Sequence, residues 1–134
     1  MKHIVVVEDD AVNAVLFRKL LERRGGYQVT VTDSPDEVMS ITRAGGIALV
    51  VMDVSLVDSW WEGKQVNGVD LCRLLKTDAQ TIGVPIVLAT AHAMRGDMER
   101  LLSDSGADDY VAKPIVDHDK FLEQIRRWVQ SEAA

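Results

Sequence analysis

The chain contains a single cysteine, Cys72, among its 134 residues, so it can form neither an intrachain disulfide nor a zinc site built from cysteines. No apolar run approaches the ~20 residues that a membrane span needs. Charged residues begin early, with Glu8 ending the first apolar run, so we expect no signal peptide. Basic residues number 15 against 21 acidic ones, and the net charge of −6 opposes binding to nucleic acid or to an anionic membrane. We therefore expect a cytoplasmic protein that binds neither.

The most informative stretch is Ile47–Asp53, in which six consecutive apolar residues are followed by a carboxylate. A short, continuous apolar run rich in β-branched residues is typical of a strand buried on both faces, as in a parallel sheet. Gly45 and Gly46 precede the run and disfavour a helix. In an open α/β sheet the carboxyl ends of the strands face the ligand crevice. Asp53 is therefore either a structural cap or a chemical group.

Four other segments have the composition of strands, and a segment with helical features follows each of the five. The predicted strands are His3–Glu8, Tyr27–Thr32, Ile47–Asp53, Pro85–Thr90 and Asp109–Lys113. Three of the helices show an apolar stripe that is predicted to face the core. The first helix has Val12, Leu16 and Leu20, with Val15 and Phe17 beside them. The fourth has Met94, Met98, Leu101 and Leu102, and the fifth has Phe121, Leu122, Ile125, Trp128 and Val129. This alternation predicts one α/β domain over residues 1–134, a doubly wound five-stranded parallel sheet with helices on both faces. A common strand order for such sheets is 2-1-3-4-5.

That order makes four strands neighbours, and each of them ends in a polar group. These groups are Glu8 and Asp9, Asp53, Thr90 and Lys113. Carboxylates ~5 Å apart repel by about 3 kcal/mol per pair at an effective dielectric of ~20. Lys113 supplies one compensating charge, and an acidic cluster without histidine or cysteine favours Mg²⁺ over zinc. An aspartate beside Mg²⁺, a lysine and a hydroxyl is equipped for phosphoryl transfer. The alternative is a set of ordinary polar groups at strand ends, with Asp9 and Asp10 capping the first helix.

Five short motifs resemble those of the receiver domain of bacterial two-component response regulators, which has the CheY-like fold. They are Val5–Asp10, Val50–Asp53, Asn67-Gly68, Ala89–Ala91 and Tyr110–Pro114, and the resemblance covers nearly the whole chain. It implies a three-layer α/β/α domain that accepts a phosphoryl group on Asp53. The donor would be a sensor histidine kinase or a histidine phosphotransfer protein. A downstream protein would read the change, a homodimer is a further expectation, and the domain would catalyse only its own phosphorylation and dephosphorylation.

The resemblance also implies a role for each matching residue. Glu8 and Asp9 would hold Mg²⁺ together with Asp53, with Asp9 the better candidate for direct ligand, and Ser55 would lend its backbone carbonyl. Thr90 and Lys113 would contact the phosphoryl group, and Tyr110 would act as an aromatic rotamer switch. The Lys113–Pro114 peptide would be cis. His92 either tunes dephosphorylation or is a surface loop histidine.

One segment departs from the family pattern. The loop from Val54 to Asn67 is longer than the family's and contains no proline. It carries Trp60 and Trp61, which either fold back over the third helix or the rim of the site, or form a partner contact. If the loop is extended, neighbouring side chains point apart, and one ring can lie on the domain surface while the other faces outward.

Two other function classes compete with the signalling interpretation. A Mg²⁺-dependent aspartyl-phosphate phosphatase of the haloacid-dehalogenase type needs a second aspartate two residues after the nucleophile, where this chain has Ser55. A flavodoxin-like cofactor binder needs a phosphate-cradling loop after the first strand, where Glu8, Asp9 and Asp10 would repel phosphate. The segment Thr90–Asp97 resembles both stand-alone cell-division regulators and receivers of hybrid kinases. A stand-alone chain must act by binding partners.

Overall fold

Five parallel strands form the central sheet of the structure, a computed structural model that describes residues 1–56, 58–91 and 95–132. In chain order the strands are β1 (His3–Val7), β2 (Gln28–Thr32), β3 (Ile47–Asp53), β4 (Trp60–Trp61), β5 (Lys64–Gln65), β6 (Ile86–Thr90) and β7 (Asp109–Ala112). The large sheet has the order β2-β1-β3-β6-β7, and β4 and β5 form a separate antiparallel pair. When β4 and β5 are left out and the five strands of the large sheet are numbered 1 to 5 in chain order, the observed order is 2-1-3-4-5. The predicted strand order is therefore confirmed.

Five helices cover the two faces of this sheet in the described part of the chain. They are α1 (Ala11–Arg18), which continues as a π-helical segment (Lys19–Arg24), α2 (Pro35–Arg43), α3 (Gly68–Thr77), α4 (Arg95–Ser105) and α5 (His118–Glu132). Met94, predicted in the fourth helix, lies outside the described residues. Side-chain caps set several helix starts. Asp10 Oδ1 accepts hydrogen bonds from the amides at 12 and 13, and Ser34 Oγ accepts one from the amide of Glu37.

The core consists of two apolar layers separated by the sheet. One layer joins α1, the π-helical segment and α5 to the sheet, with the rings of Phe17 and Phe121 5.8 Å apart. The other joins α2 and α3 to the opposite face and includes the buried Cys72. Every residue of Ile47–Asp53 is buried, as expected for a central strand covered on both faces. The predicted apolar face of α5 is also confirmed, since four of its five residues are buried and Trp128 is half-buried.

The predicted core face of the first helix is wrong in part. Val12 and Val15 are mostly exposed, and the buried residues are Phe17, Leu20 and Leu21. Val12, Leu16 and Leu20 are spaced by four residues, and each step of four advances about 40° around a helix of 3.6 residues per turn. Val12 therefore lies about 80° around the helix from Leu20. Because Val15 and Phe17 are two positions apart, they point to nearly opposite sides of the helix. Phe17 therefore faces the sheet and Val15 faces away from it.

The register of the parallel strands aligns their carboxyl ends. Asp53 pairs with Ala89, and Ala89 pairs with Val111. Val7, the last residue of β1, pairs with Met52. The residues that end or follow these strands are therefore brought to one edge of the sheet, where a crevice forms between the strand ends and the loops.

Candidate functional site

The site is built around an ammonium group that bridges two buried carboxylates. Lys113 Nζ lies 3.0 Å from Asp53 Oδ1 and 3.1 Å from Glu8 Oε1. Asp53 ends β3, Glu8 follows β1 and Lys113 follows β7, so three strands supply the three groups. Both carboxylates are buried and the lysine side chain is only 10% exposed. The structure thus brings together the groups that the sequence places at neighbouring strand ends.

A third carboxylate, that of Asp9, completes an acidic cluster. Glu8, Asp9 and Asp53 each offer an oxygen, and these oxygens all lie within 4.8 Å of one another. Glu8 and Asp53 are buried and Asp9 is exposed. Two backbone amides face the buried pair: Ser55 N–H donates to Asp53 Oδ1 at 3.0 Å, and Asp10 N–H donates to Glu8 Oε2 at 3.2 Å. The amides and Lys113 hold the buried carboxylates in place, while Asp9 faces the solvent side of the cleft.

The two buried carboxylates differ in acidity. Burial, followed by the hydrogen bond and the charge of Asp53, raises the pKa of Glu8 to about 7, against the opposing effect of the Asp10 amide and Lys113. Burial alone would raise the pKa of Asp53 as well. Its hydrogen bonds to Glu8, to the Ser55 amide and to Lys113, together with the Lys113 charge, hold the pKa below its usual value. Glu8 is therefore the member of the pair that takes up a proton near neutral pH, and Asp53 stays ionised.

The donor set fits Mg²⁺. Magnesium binds oxygen at 2.0–2.1 Å in octahedral geometry, which places ligand oxygens about 3–4 Å apart, so a small contraction of the cluster would suffice. Three carboxylates and one ammonium leave a net charge of about −2 when Glu8 is ionised, which a divalent cation would neutralise. Among the residues that the structure describes, neither histidine nor cysteine belongs to the cluster, which disfavours zinc. Asp9, Asp53 and Glu8 are the side chains that would hold the ion.

Gly68, the second residue of the Asn67-Gly68 motif, lies where only glycine fits. A Cβ at this position would lie 1.9 Å from the carbonyl oxygen of Asp53. The backbone of Gly68 passes directly over the end of β3, and its N–H points at Val54 O, 3.3 Å away. Any side chain here would displace the segment that carries Asp53. Asn67 begins α3 at this point with a capping box formed with Asp70.

The remaining predicted residues are spread around this centre. Thr90 is buried at the end of β6, and its carbonyl accepts the Lys113 N–H at 2.8 Å. Ser55 and Pro114 line the cleft, and the Lys113–Pro114 peptide is cis, as expected. Tyr110 is exposed on β7. His92 lies outside the described residues.

The two tryptophans lie on opposite sides of the short hairpin formed by β4 and β5. Trp60 is exposed, whereas Trp61 packs against the core layer that contains α2 and α3. The predicted loop therefore contains regular structure, and its two rings point apart as expected for an extended segment.

A family model for the response regulator receiver domain matches residues 4–126. The chain belongs to the response regulator receiver domain family. The polar-differentiation response regulator DivK of Brucella ovis is 33% identical over 128 residues, which cover 96% of this chain and 96% of that protein. The DivK of Brucella anthropi is 32% identical over the same coverage.

Solved receiver domains have the same architecture. The receiver domain of a sensor histidine kinase from Pseudomonas aeruginosa PAO1, solved with a magnesium ion coordinated in its active site cleft, gives a TM-score of 0.80 at 27% identity. The match covers 96% of this chain and 98% of that one. A CheY-like receiver domain protein from Methanospirillum hungatei matches with a TM-score of 0.79 over 99% of this chain and 97% of that one, at 22% identity, and supports the fold alone.

Family membership decides between the function classes. The chain is a receiver domain of two-component systems and functions in phosphorylation-dependent signalling. The phosphatase alternative receives no support from these matches. In the described part of the chain, the helices are too short or too polar to cross a membrane.

Proposed function

We propose that Asp53 is the phosphoacceptor and takes a phosphoryl group from a phosphohistidine of a sensor histidine kinase or a histidine phosphotransfer protein. The supporting observation is the position of Asp53 at the end of β3. The Lys113 ammonium lies 3.0 Å away, and the carboxylates of Glu8 and Asp9 are within 4.8 Å. Mg²⁺ would be held by Asp9, Asp53 and Glu8, with the backbone carbonyl of Ser55. When bound, it would neutralise charge on the transferred phosphoryl oxygens.

The chain's own groups are suited to the transfer. A carboxylate oxygen of Asp53 attacks phosphorus, the phosphorus–nitrogen bond of the phosphohistidine breaks, and its electron pair returns to the imidazole. The product is an acyl phosphate on Asp53. Lys113, whose ammonium is already placed at Asp53, balances negative charge on the phosphoryl oxygens, and the Thr90 hydroxyl donates to one of them. The domain catalyses only this step and the later hydrolysis of the acyl phosphate, in which water takes the phosphoryl group, inorganic phosphate leaves and the Asp53 carboxylate is restored. Ser55 and His92 modulate this hydrolysis.

The signal then passes from Thr90 to Tyr110. Phosphorylation adds about −1.5 to −2 charges beside Lys113. Thr90 moves to bond the phosphoryl group, and the exposed Tyr110 ring turns inward on the neighbouring strand. A downstream protein, or a second copy of the chain, reads this change. In this proposal residues 1–134 form one cytoplasmic receiver domain.

Acetyl phosphate tests the acceptor without a kinase. Intact-mass measurement in the presence of Mg²⁺ should show one added phosphoryl group on the wild type. Asp53→Asn and EDTA should each abolish it, because the first removes the nucleophile and the second the cation. Asp36→Asn, at an exposed carboxylate on α2, is the control and should label normally. Full labelling of the Asp53 variant, or of the wild type in EDTA, would contradict the proposal.

A further inference from the structure

The hairpin between β3 and α3 is a preformed element of the surface. Trp60 pairs with Gln65 and Trp61 with Lys64, and the two residues between the strands, Glu62 and Gly63, have φ values of 50° and 80°. Positive φ at both central residues is the mark of the type I′ turn, whose twist matches that of the strands it joins. The hairpin therefore holds its side chains in defined directions before any partner binds.

One face of the hairpin anchors it to the domain. The Trp61 ring packs against the core layer of α2 and α3, and the Arg43 guanidinium lies 5.6 Å from the centroid of this ring. At the base of the hairpin, the amide of Val66 donates to the carbonyl of Ser59 at 2.9 Å. Because strand side chains alternate, Trp60 points to the opposite face, and 56% of it is exposed.

Trp60 lies in a cleft that adjoins the phosphoacceptor site. The lining of this Trp60 cleft includes Asp9, Asp33 and Asp58, together with the start of α2. Asp9 also lines the cleft that contains Asp53, so the two clefts adjoin each other at this residue. A protein that brings a histidine to Asp53 therefore covers Asp9 and comes next to Trp60.

We propose that the Trp60 cleft docks an arginine side chain of the phosphohistidine-bearing donor protein. This inference rests on the proposed function, since it takes its partner from it. The indole offers a flat aromatic face on which a guanidinium stacks, and the exposed carboxylates of Asp33 and Asp58 pair with its N–H groups. The same chain already combines a guanidinium with an indole, between Arg43 and Trp61. Tryptophan anchors of this kind carry much of the binding energy of an interface.

The charge of the cleft selects the chemistry of the occupant. Asp33 and Asp58 add two negative charges to the edge of a site that is already acidic, on a chain with net charge −6. An acidic or purely apolar segment would desolvate these carboxylates without pairing them, which costs binding energy. Arginine satisfies both the aromatic face and the carboxylates, because its guanidinium is planar and more weakly hydrated than an ammonium.

The first test measures phosphotransfer from a real donor. Profiling the phosphorylated histidine kinases and phosphotransfer proteins of the host identifies the one that labels the wild type fastest, and that protein is the probe. Trp60→Ala should raise the half-saturating receiver concentration about tenfold or more while acetyl phosphate labelling stays unchanged. Ile82→Ala is the matched control, since Ile82 is 55% exposed but lies outside the cleft, and it should behave as wild type.

Two further measurements test the arginine chemistry. The double variant Asp33→Asn/Asp58→Asn should weaken transfer in the same direction and reduce its dependence on salt, because two screened charges are gone. In NMR, Nα-acetyl-argininamide should shift the indole N–H resonance of Trp60, and the citrulline analogue should not, since it keeps the shape but lacks the charge.

Four outcomes would overturn the inference. The first is that Trp60→Ala and Ile82→Ala have the same half-saturating concentration, and the second is that Trp60→Ala slows labelling by acetyl phosphate. The third is that the arginine and citrulline probes shift the Trp60 resonance equally. The fourth is that Trp60→Ala changes self-association without changing phosphotransfer. The last would make a second copy of the chain the occupant. If no donor labels Asp53 at all, the proposed function itself fails, which is a separate result.

Discussion

Removing the Lys113 ammonium should show how far it compensates the negative charge of the buried carboxylates of Glu8 and Asp53. The side chain is only 10% exposed, and its Nζ lies 3.0 and 3.1 Å from Asp53 and Glu8. Lys113→Met keeps most of the aliphatic stem but leaves both carboxylates without their cation. Breaking a buried ion pair on one side costs about 3–5 kcal/mol. We expect the variant to lose about 3 kcal/mol of its free energy of unfolding at alkaline pH without Mg²⁺.

The same loss should shrink when another positive charge or a proton is supplied. Mg²⁺ brings two charges to the cluster, and it should bind the variant more tightly than the wild type because no ammonium competes for the carboxylates. Acid should act similarly, since Lys113 lowers the pKa of Glu8 and its removal makes Glu8 easier to protonate. Urea unfolding at alkaline pH with EDTA, at alkaline pH with Mg²⁺ and at mildly acidic pH with EDTA measures all three conditions.

Lys76→Met is the matched control for this experiment. Lys76 is 14% exposed and pairs with Asp108 at 2.7 Å, but Asp108 does not belong to the acidic cluster. Its loss of stability should be equal with and without Mg²⁺. If the Lys113 variant also lost the same free energy under all three conditions, Lys113 would act by packing, and the charge-compensation account would be refuted.

Two remaining predictions concern the acidity of Glu8 and the movement of Tyr110. Because the pKa of Glu8 is about 7, a proton competes with Mg²⁺ below that pH, and affinity measured by calorimetry should rise about tenfold from about pH 6 to about pH 8. Since this pKa is raised above 4.5, the folded state keeps a proton that the unfolded state releases, and the Mg²⁺-free protein should lose stability as pH rises from about 4.5 to about 7. Glu8→Gln should flatten the pH profiles of both Mg²⁺ affinity and stability, whereas the control Glu123→Gln, on the exposed face of α5, should not. A flat wild-type profile would contradict the raised pKa of Glu8. Beryllofluoride with Mg²⁺ should shift the NMR amide resonances of β6 and β7 and the ring resonances of Tyr110. Thr90→Ala should prevent the shift of the ring resonances. Unshifted amide resonances in β6 and β7 would rule out the switch.

The sheet and the acidic cluster could be predicted because their signals are local. A continuous apolar run such as Ile47–Met52 predicts a buried strand, and a polar residue at its end must then face the crevice. The helix starts at Asp10, Ser34 and Asn67 follow from side chains that cap the first turn. Placing these elements in one doubly wound sheet then brings Glu8, Asp53 and Lys113 together without further information.

Other features depend on contacts that no local pattern contains. The hairpin strands have two residues each, which is too short for periodicity, and the turn places Glu62 at a positive φ that its sequence does not favour. The need for glycine at position 68 comes from the close approach of Asp53. The raised pKa of Glu8 comes from burial and from a neighbour 45 positions away in sequence. Such features require the assembled structure.

The central claim is that the phosphoryl group is carried on Asp53, and reductive trapping measures this directly. Borohydride reduces an aspartyl phosphate to homoserine, so the wild type treated with acetyl phosphate and Mg²⁺ and then with borohydride should yield a peptide with homoserine at position 53. Tandem mass spectrometry identifies the position. Homoserine at position 9 or position 10, or its absence from a protein that has gained a phosphoryl group, would contradict the account.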